Sequence, residues 1–72
     1  MNKETIQAMI EQGLPGAKAA VVGDDGQHFQ ATVTCPGFKG KTMLAMHRMV
    51  YETLGDKMGN EIHALSLRTR AF

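Results

Sequence analysis

The chain has 72 residues, of which 43% are hydrophobic and 21% charged, and its formal net charge is +1. This length predicts a single small domain, residues 1–72, and the ordinary composition excludes a disordered tail and a fibrous repeat. Six basic and three acidic side chains make residues 37–72 mildly basic, which falls short of the dense basic surface of a dedicated nucleic-acid binder.

The single cysteine, Cys35, excludes an internal disulfide and a zinc site built from cysteines. No window approaches the ~18 apolar residues of a membrane helix, and the N-terminal segment lacks the apolar core of a signal peptide. We therefore expect a cytoplasmic protein with a reduced thiol and no membrane contact. Because so short a chain has little room for an enclosed pocket, we expect a partner-dependent protein and not an enzyme.

The first half predicts a helix and a β-hairpin. Asn2 is a suitable N-cap, and apolar residues then recur at helical spacing: Ile6, Met9 and Ile10. Gly13 is expected to end this helix in a left-handed conformation, with Pro15 preventing its continuation. Two extended runs, 17–22 and 28–35, flank a loop rich in glycine and aspartate, which is typical of a hairpin.

The second half predicts a longer helix and a third strand. Thr42 can cap a second helix. One face of this helix is expected to carry residues spaced by four, three, four and four positions: Met43, His47, Val50, Leu54 and Met58. Residues 62–69 then read as a strand with Leu65 and Leu67 on one face. The order αββαβ predicts an α+β fold in which both helices pack on one face of a three-stranded sheet.

Two short signals for chemistry also have structural explanations. Gly40-Lys41-Thr42 is similar to the end of a phosphate-binding loop, but Cys35 occupies the position of that motif's first glycine, which favours a helix start. Cys35 falls on the apolar face of its strand, which favours a buried, inert thiol. An enzyme that uses Cys35 together with a histidine is the less favoured alternative.

The three histidines have different surroundings. His47 lies on the stripe of the second helix, where a packing role is favoured, and Tyr51 at the edge of this helix is expected to extend its hydroxyl to water. His28 lies on the polar side of its strand and His63 at the start of the third strand, and neutral imidazole commonly binds zinc, copper and iron. Because 35 residues separate these two, spacing alone leaves their convergence open. Two imidazoles would also need further ligands from another molecule.

Five segments resemble the BolA family of small proteins in the family's order and are spread along most of the chain, from residue 13 to residue 66. They are Gly13-Leu14-Pro15-Gly16, residues 23–29, residues 38–42, residues 47–51 and residues 62–66. The histidine of the loop segment, His28, is the residue found in the IbaG-type bacterial subgroup, which this chain resembles in that respect. Other members of the family carry cysteine in this loop. Met43 and Met46 depart from the arginine or glutamine that is usual in the family's second helix.

The resemblance implies a class II KH-like αββαβ domain that acts without catalysis beside a monothiol glutaredoxin. The two proteins of such a heterodimer share a [2Fe–2S] cluster, for which the glutaredoxin provides a cysteine and a bound glutathione. The BolA side provides a loop residue and the histidine of the Ile-His-Ala-Leu-Ser motif, here His28 and His63. The implied role is cluster assembly, cluster trafficking or iron sensing. No cofactor is expected in the isolated chain, and a homodimer stays open as another assembly.

The alternative function is a nucleic-acid-binding transcriptional regulator that uses the region between the second strand and the second helix. Gly37-Phe38-Lys39-Gly40 spells the GxxG with which KH domains hold a nucleic-acid backbone. Lys41 and Arg48 add positive charge nearby. The acidic first half and the methionines of the second helix count against this alternative.

Overall fold

A computed structural model describes residues Met1–Ala71 and contains two α-helices and three strands. In chain order the elements are α1 (Lys3–Gly13), β1 (Lys18–Val22), β2 (His28–Thr34), a 3₁₀ turn (Pro36–Phe38), α2 (Met43–Leu54), a second 3₁₀ turn (Gly55–Lys57) and β3 (Ala64–Arg70). The predicted α+β class and αββαβ order are confirmed, while the class II KH-like assignment stays a prediction. Phe72, the last residue of the predicted domain, lies outside the described residues.

The sheet has the strand order β1-β2-β3. Strands β1 and β2 form the predicted antiparallel hairpin, with Lys18 opposite Thr34. Strands β2 and β3 are parallel, with His28 opposite Ala64. Since neighbouring parallel strands require a crossover connection, α2 lies in the segment that carries the chain back to the start of β3.

The core lies between one face of the sheet and the two helices. Alternate strand residues are buried, as period-two strands on a one-sided core require. The buried strand residues are Ala19, Val21, Phe29, Ala31, Val33 and Leu65, and they form one cluster with Ile6, Ile10, Val50 and Leu54 of the helices. The prediction that both helices cover one sheet face is therefore confirmed. In the described part of the chain no helix is long and apolar enough to cross a membrane.

Both predicted helix caps are confirmed. The Asn2 side chain accepts a hydrogen bond from the Thr5 amide at 2.8 Å, and the Thr42 hydroxyl accepts one from the Ala45 amide at 3.1 Å. Each cap satisfies an amide that the first helical turn leaves without a partner. The helix-start interpretation of Gly40-Lys41-Thr42 is therefore correct.

The ends of the second helix and third strand differ from the prediction. Helix α2 stops at Leu54 because Gly55 adopts a φ of +56°, so Met58 lies beyond the helix, and Met43 is 68% exposed instead of packed. The strand begins two residues late, at Ala64. Ile62 is buried as expected, but it lies in the preceding loop, where it forms an isolated bridge with Met58.

A helix side chain contacts the backbone of each edge strand. The Glu11 carboxylate accepts a hydrogen bond from the Ala19 amide of β1 at 2.9 Å. The Tyr51 hydroxyl donates to the Leu65 carbonyl of β3 at 3.3 Å, while Tyr51 remains 37% exposed. These contacts occupy polar backbone groups that would otherwise be open to pairing with another strand. Contact of the Tyr51 hydroxyl with water stays a prediction.

Gly13 is the last residue of α1, and the structure requires a glycine there for space and not for a left-handed conformation. Gly13 does not have a positive φ, so the predicted left-handed cap is wrong. A Cβ at this position would lie only 2.6 Å from Thr53 Cγ2 of α2. The glycine therefore permits the close approach of the two helices.

We expect Gly13→Ala to destabilise the fold by on the order of 1–3 kcal/mol, because the added methyl overpacks the contact with α2. In a helix with free space at this position, glycine to alanine would stabilise the fold by about 1 kcal/mol. The sign of the change in unfolding free energy therefore shows whether the methyl group clashes with α2. Urea unfolding measures the difference. Gly37→Ala is the matched control, since its Cβ would lie an ordinary 3.6 Å from Cys35 Sγ. A Gly13→Ala protein as stable as the parent would contradict the steric explanation.

Candidate metal centre

The structure brings His28 and His63 together at one end of the sheet. Their ring centroids are 5.2 Å apart and their planes meet at 81°. The parallel register places His28 opposite Ala64, and the Gln27 carbonyl accepts hydrogen bonds from the amides of both His63 and Ala64, at 3.1 and 3.0 Å. The convergence that the 35-residue spacing left open therefore follows from how β2 and β3 pair.

His63 is held in place by the loop that precedes it. Ile62 is fully buried, and its amide donates to the Lys57 carbonyl while its carbonyl accepts from the Gly59 amide, both at 2.9 Å. Lys57 also forms an ion pair with Glu61 at 2.8 Å, which lowers the pKa of the Glu61 carboxyl and raises the pKa of Lys57. A buried anchor thus directly precedes the exposed histidine.

His28 is held in place by Asp25 of the hairpin loop. Asp25 Oδ1 accepts hydrogen bonds from the amides of Gln27 and His28 at 2.9 and 2.8 Å, and Oδ2 lies 2.7 Å from His28 Nδ1. The His28 backbone amide, the His28 ring and the Gln27 amide hold the pKa of Asp25 well below its usual range. Gly26 permits this turn, since its φ of +74° lies in the region that glycine adopts most easily.

Asp25 is not among the site residues that the sequence predicts, because its loop reads only as a turn between two strands. The sequence signal for this role is Asp25 followed directly by Gly26, with His28 three residues after the aspartate. Aspartate side chains readily accept hydrogen bonds from backbone amides two and three residues further along the chain.

The histidine pair has a separation suited to two ligands of one ion. Metal–nitrogen bonds of about 2.0–2.1 Å put two ring centroids about 5 Å apart when both imidazoles bind one tetrahedral ion. The observed 5.2 Å agrees with this value, although edge-to-face aromatic pairs also span this range. Both residues are exposed, and the His28 side chain retains 58% of its accessible surface. Another molecule can therefore reach both rings.

Two imidazoles alone could supply only part of a metal coordination sphere. Within residues 1–71, no group of three or more histidine, cysteine, aspartate or glutamate side chains is arranged to hold a metal ion. An open depression of about 340 Å³ lies beside His28 on the uncovered face of the sheet, and its lining includes Val22, Gln30, Ala64 and Ser66. A second molecule that provides further ligands can approach along this surface.

Cys35 lies far from the histidine pair. It follows the last residue of β2 whereas His28 is the first, so about seven strand positions, roughly 20 Å, separate them. The side chain is 2% exposed, and its sulfur lies 3.8 Å from the Pro15 carbonyl oxygen. The predicted burial of Cys35 is confirmed, and the structure does not pair this cysteine with His28.

The Gly37–Gly40 candidate for nucleic-acid binding lies at the other end of β2 from the pair of His28 and His63. The Gly37–Gly40 segment follows the end of β2, and its Phe38 is 1% exposed and belongs to the core. Gly40 has a φ of +77°. Lys39, Lys41 and Arg48 are exposed. The GxxG pattern therefore has a structural explanation, while the basic side chains remain accessible.

The family model described as BolA-like protein matches residues 9–72 of the chain. This chain belongs to the BolA-like family. A solved BolA homologue from Coxiella burnetii superimposes with a TM-score of 0.86 at 46% identity, covering 96% of this chain and 88% of that one. The similarity therefore extends over nearly the whole BolA-like fold.

Two curated relatives from different kingdoms match about three-fifths of the chain. The DNA-binding transcriptional regulator BolA of Vibrio cholerae is 45% identical over 42 residues, which are 58% of this chain and 40% of the relative. SufE-like protein 1 of Arabidopsis thaliana is 39% identical over 46 residues, which are 62% of this chain and 12% of the relative. The matched segments thus span less than half of either relative.

We expect native Cys35 to react slowly with iodoacetamide at neutral pH, because its side chain is only 2% exposed and the reagent cannot reach the sulfur. In denaturant the same residue should alkylate at the rate of a free thiol. Mass spectrometry against time measures both rates. Native alkylation as fast as that of the unfolded chain would contradict a purely structural role and revive the nucleophile hypothesis.

Proposed function

We propose that this BolA-like protein is a non-catalytic partner of a monothiol glutaredoxin and co-ligates a [2Fe–2S] cluster through His28 and His63. The observation that supports the proposal best is the convergence of two exposed imidazoles with ring centroids 5.2 Å apart. The proposed setting is cytoplasmic iron–sulfur cluster assembly, cluster trafficking or iron sensing.

The proposal requires the thiolates to come from the partner. Iron–sulfur clusters are held mainly by cysteine thiolates, with imidazoles replacing two of them on one iron in Rieske centres. The one cysteine of this chain is buried at the other end of β2. A glutaredoxin cysteine and a glutathione bound to the glutaredoxin would supply the missing sulfur ligands, while His28 and His63 would supply nitrogen.

The two imidazoles give the proposed site specific chemical properties. The cluster, when bound, provides one-electron chemistry at a potential that imidazole ligands raise above that of all-cysteine clusters. His28 and His63 bind iron only while they are neutral, so acidification favours release of iron from this chain. Ligands divided between two proteins also allow the cluster to leave with either one, which suits transfer or sensing.

Titration of this protein into cluster-loaded monothiol glutaredoxin tests the proposal through visible absorption and circular dichroism. We expect a spectrum distinct from that of the glutaredoxin homodimer, saturating at one chain per glutaredoxin. His28→Ala and His63→Ala should each abolish this change, because each removes one ligand of the same iron.

His47→Ala is the matched control for that titration, since His47 lies on α2 outside the pair and is half-buried. It should behave like the parent protein. A mixture that keeps the spectrum of the glutaredoxin homodimer, or a His28→Ala protein that behaves like the parent, would contradict cluster sharing.

Nucleic-acid binding is the second candidate function. It is favoured by the exposed basic side chains of Lys39, Lys41 and Arg48 and by the similarity to a relative named as a DNA-binding transcriptional regulator. The surface that would carry it follows β2 and is separate from the histidine pair, so both functions could belong to one chain.

For this candidate we expect the affinity for duplex DNA to fall steeply with salt, with a slope of about −0.9 for each phosphate neutralised. Replacing Lys39 and Lys41 together by alanine should make the slope shallower by about 0.9 for each phosphate that the variant no longer neutralises. Fluorescence anisotropy at several salt concentrations measures this, with Lys3→Ala as the control, since Lys3 lies at the start of α1 near the hairpin loop at the other end of the sheet. Absence of binding at low salt would eliminate the candidate.

A further inference from the structure

We propose that Asp25 is a positioning residue that fixes the His28 ring so that Nε2, and not Nδ1, is its metal-binding nitrogen. This inference rests on the proposed function, because it assigns a role to Asp25 within the same site. The geometry points to it through the 2.7 Å contact between Asp25 Oδ2 and His28 Nδ1.

The direction of this hydrogen bond determines the tautomer of His28. An ionised carboxylate can only accept hydrogen bonds, so the neutral ring must donate from Nδ1. The lone pair is then on Nε2, the nitrogen across the ring from Asp25. Metal-binding histidines commonly donate their other ring N–H to a carboxylate, which fixes the tautomer and makes the ligand more basic.

The two oxygens of Asp25 have separate tasks. Oδ1 alone receives both backbone amides, of Gln27 and His28, and this is sufficient to form the turn. Oδ2 is directed to the ring and contributes nothing to that turn. A loop that needed only its backbone conformation could use asparagine here, since an amide oxygen accepts the same two bonds. Only a carboxylate can accept these two bonds through one oxygen and an Nδ1–H from the ring through the other.

Asp25→Asn therefore separates the two tasks. The amide oxygen of asparagine can keep both backbone bonds and hence the turn. Its NH₂ group then occupies the position of Oδ2 and can only donate, so Nδ1 must accept and the proton moves to Nε2. In other carboxylate–imidazole pairs the same exchange leaves the geometry intact and produces the wrong tautomer. Nε2 would lose the free lone pair that binds metal.

The first measurement uses the protein without any metal. Long-range ¹H–¹⁵N NMR spectra at a pH where the imidazoles are neutral report which ring nitrogen carries the proton. We expect His28 to be the Nδ1–H tautomer in the parent protein and the Nε2–H tautomer in Asp25→Asn, with His47 unchanged. A parent His28 in the Nε2–H form would overturn the proposal whatever the variant does.

The second measurement uses the heterodimer with cluster-loaded monothiol glutaredoxin. Loss of an outer partner of a metal ligand typically weakens metal binding 10–100-fold, so the dissociation constant of the cluster-bearing heterodimer should rise by this factor in Asp25→Asn. The reduction potential of the shared cluster should change as well. Glu52→Gln is the matched control, because it removes the same charge from an exposed residue of α2, which packs on the opposite face of the sheet, and it should leave both quantities unchanged.

The outcomes distinguish this inference from the function on which it rests. If His28→Ala loses the shared-cluster spectrum while Asp25→Asn keeps the affinity and potential of the parent, the role of Asp25 is overturned and cluster sharing stands. If His28→Ala itself behaves like the parent, cluster sharing and the role of Asp25 are overturned together. A tautomer switch combined with weakened binding, seen in Asp25→Asn and absent from Glu52→Gln, supports both.

Discussion

The parallel pairing of β2 with β3 is the interaction on which the candidate site depends. Hydrogen bonds between strands fix His28 opposite Ala64, and the Gln27 carbonyl binds the amides of both His63 and Ala64. A shift of one residue in this register would turn Leu65 away from the core, so burial of the apolar face also fixes the histidine pair. The same packing that stabilises the domain therefore sets the distance between two rings 35 residues apart.

Each ring is further restrained by its own loop, and the two loops use different interactions. A buried apolar residue, Ile62, anchors the loop before β3 and leaves His63 exposed beside it. The hairpin loop holds His28 by charge and hydrogen bonds, through the carboxylate of Asp25. Two ligands held in this way need little reorganisation on binding an ion, which favours a site completed by a second molecule.

Much of the fold could be predicted from periodicity and capping, because these are local properties. The two helix caps, the hairpin and the buried face with Cys35 all follow from residues close together in sequence. The parallel register, the early end of α2 and the contact of Gly13 with Thr53 depend on tertiary packing. For the site, the sequence indicated both histidines through residue type and family resemblance, but not their convergence. Asp25 was missed because its role needs the folded loop, in which one side chain contacts both backbone and ring.

The central claim is that both histidines bind one iron of a cluster shared with a glutaredoxin. Pulsed electron paramagnetic resonance of the reduced heterodimer tests it most directly, with ¹⁵N-labelled histidine in this chain and an unlabelled glutaredoxin. We expect hyperfine couplings from two directly bound ¹⁵N nuclei, and none in mixtures with His28→Ala or His63→Ala, in which the cluster stays with the unlabelled glutaredoxin. A reduced cluster with no strongly coupled ¹⁵N, or with one only, would contradict joint ligation by His28 and His63.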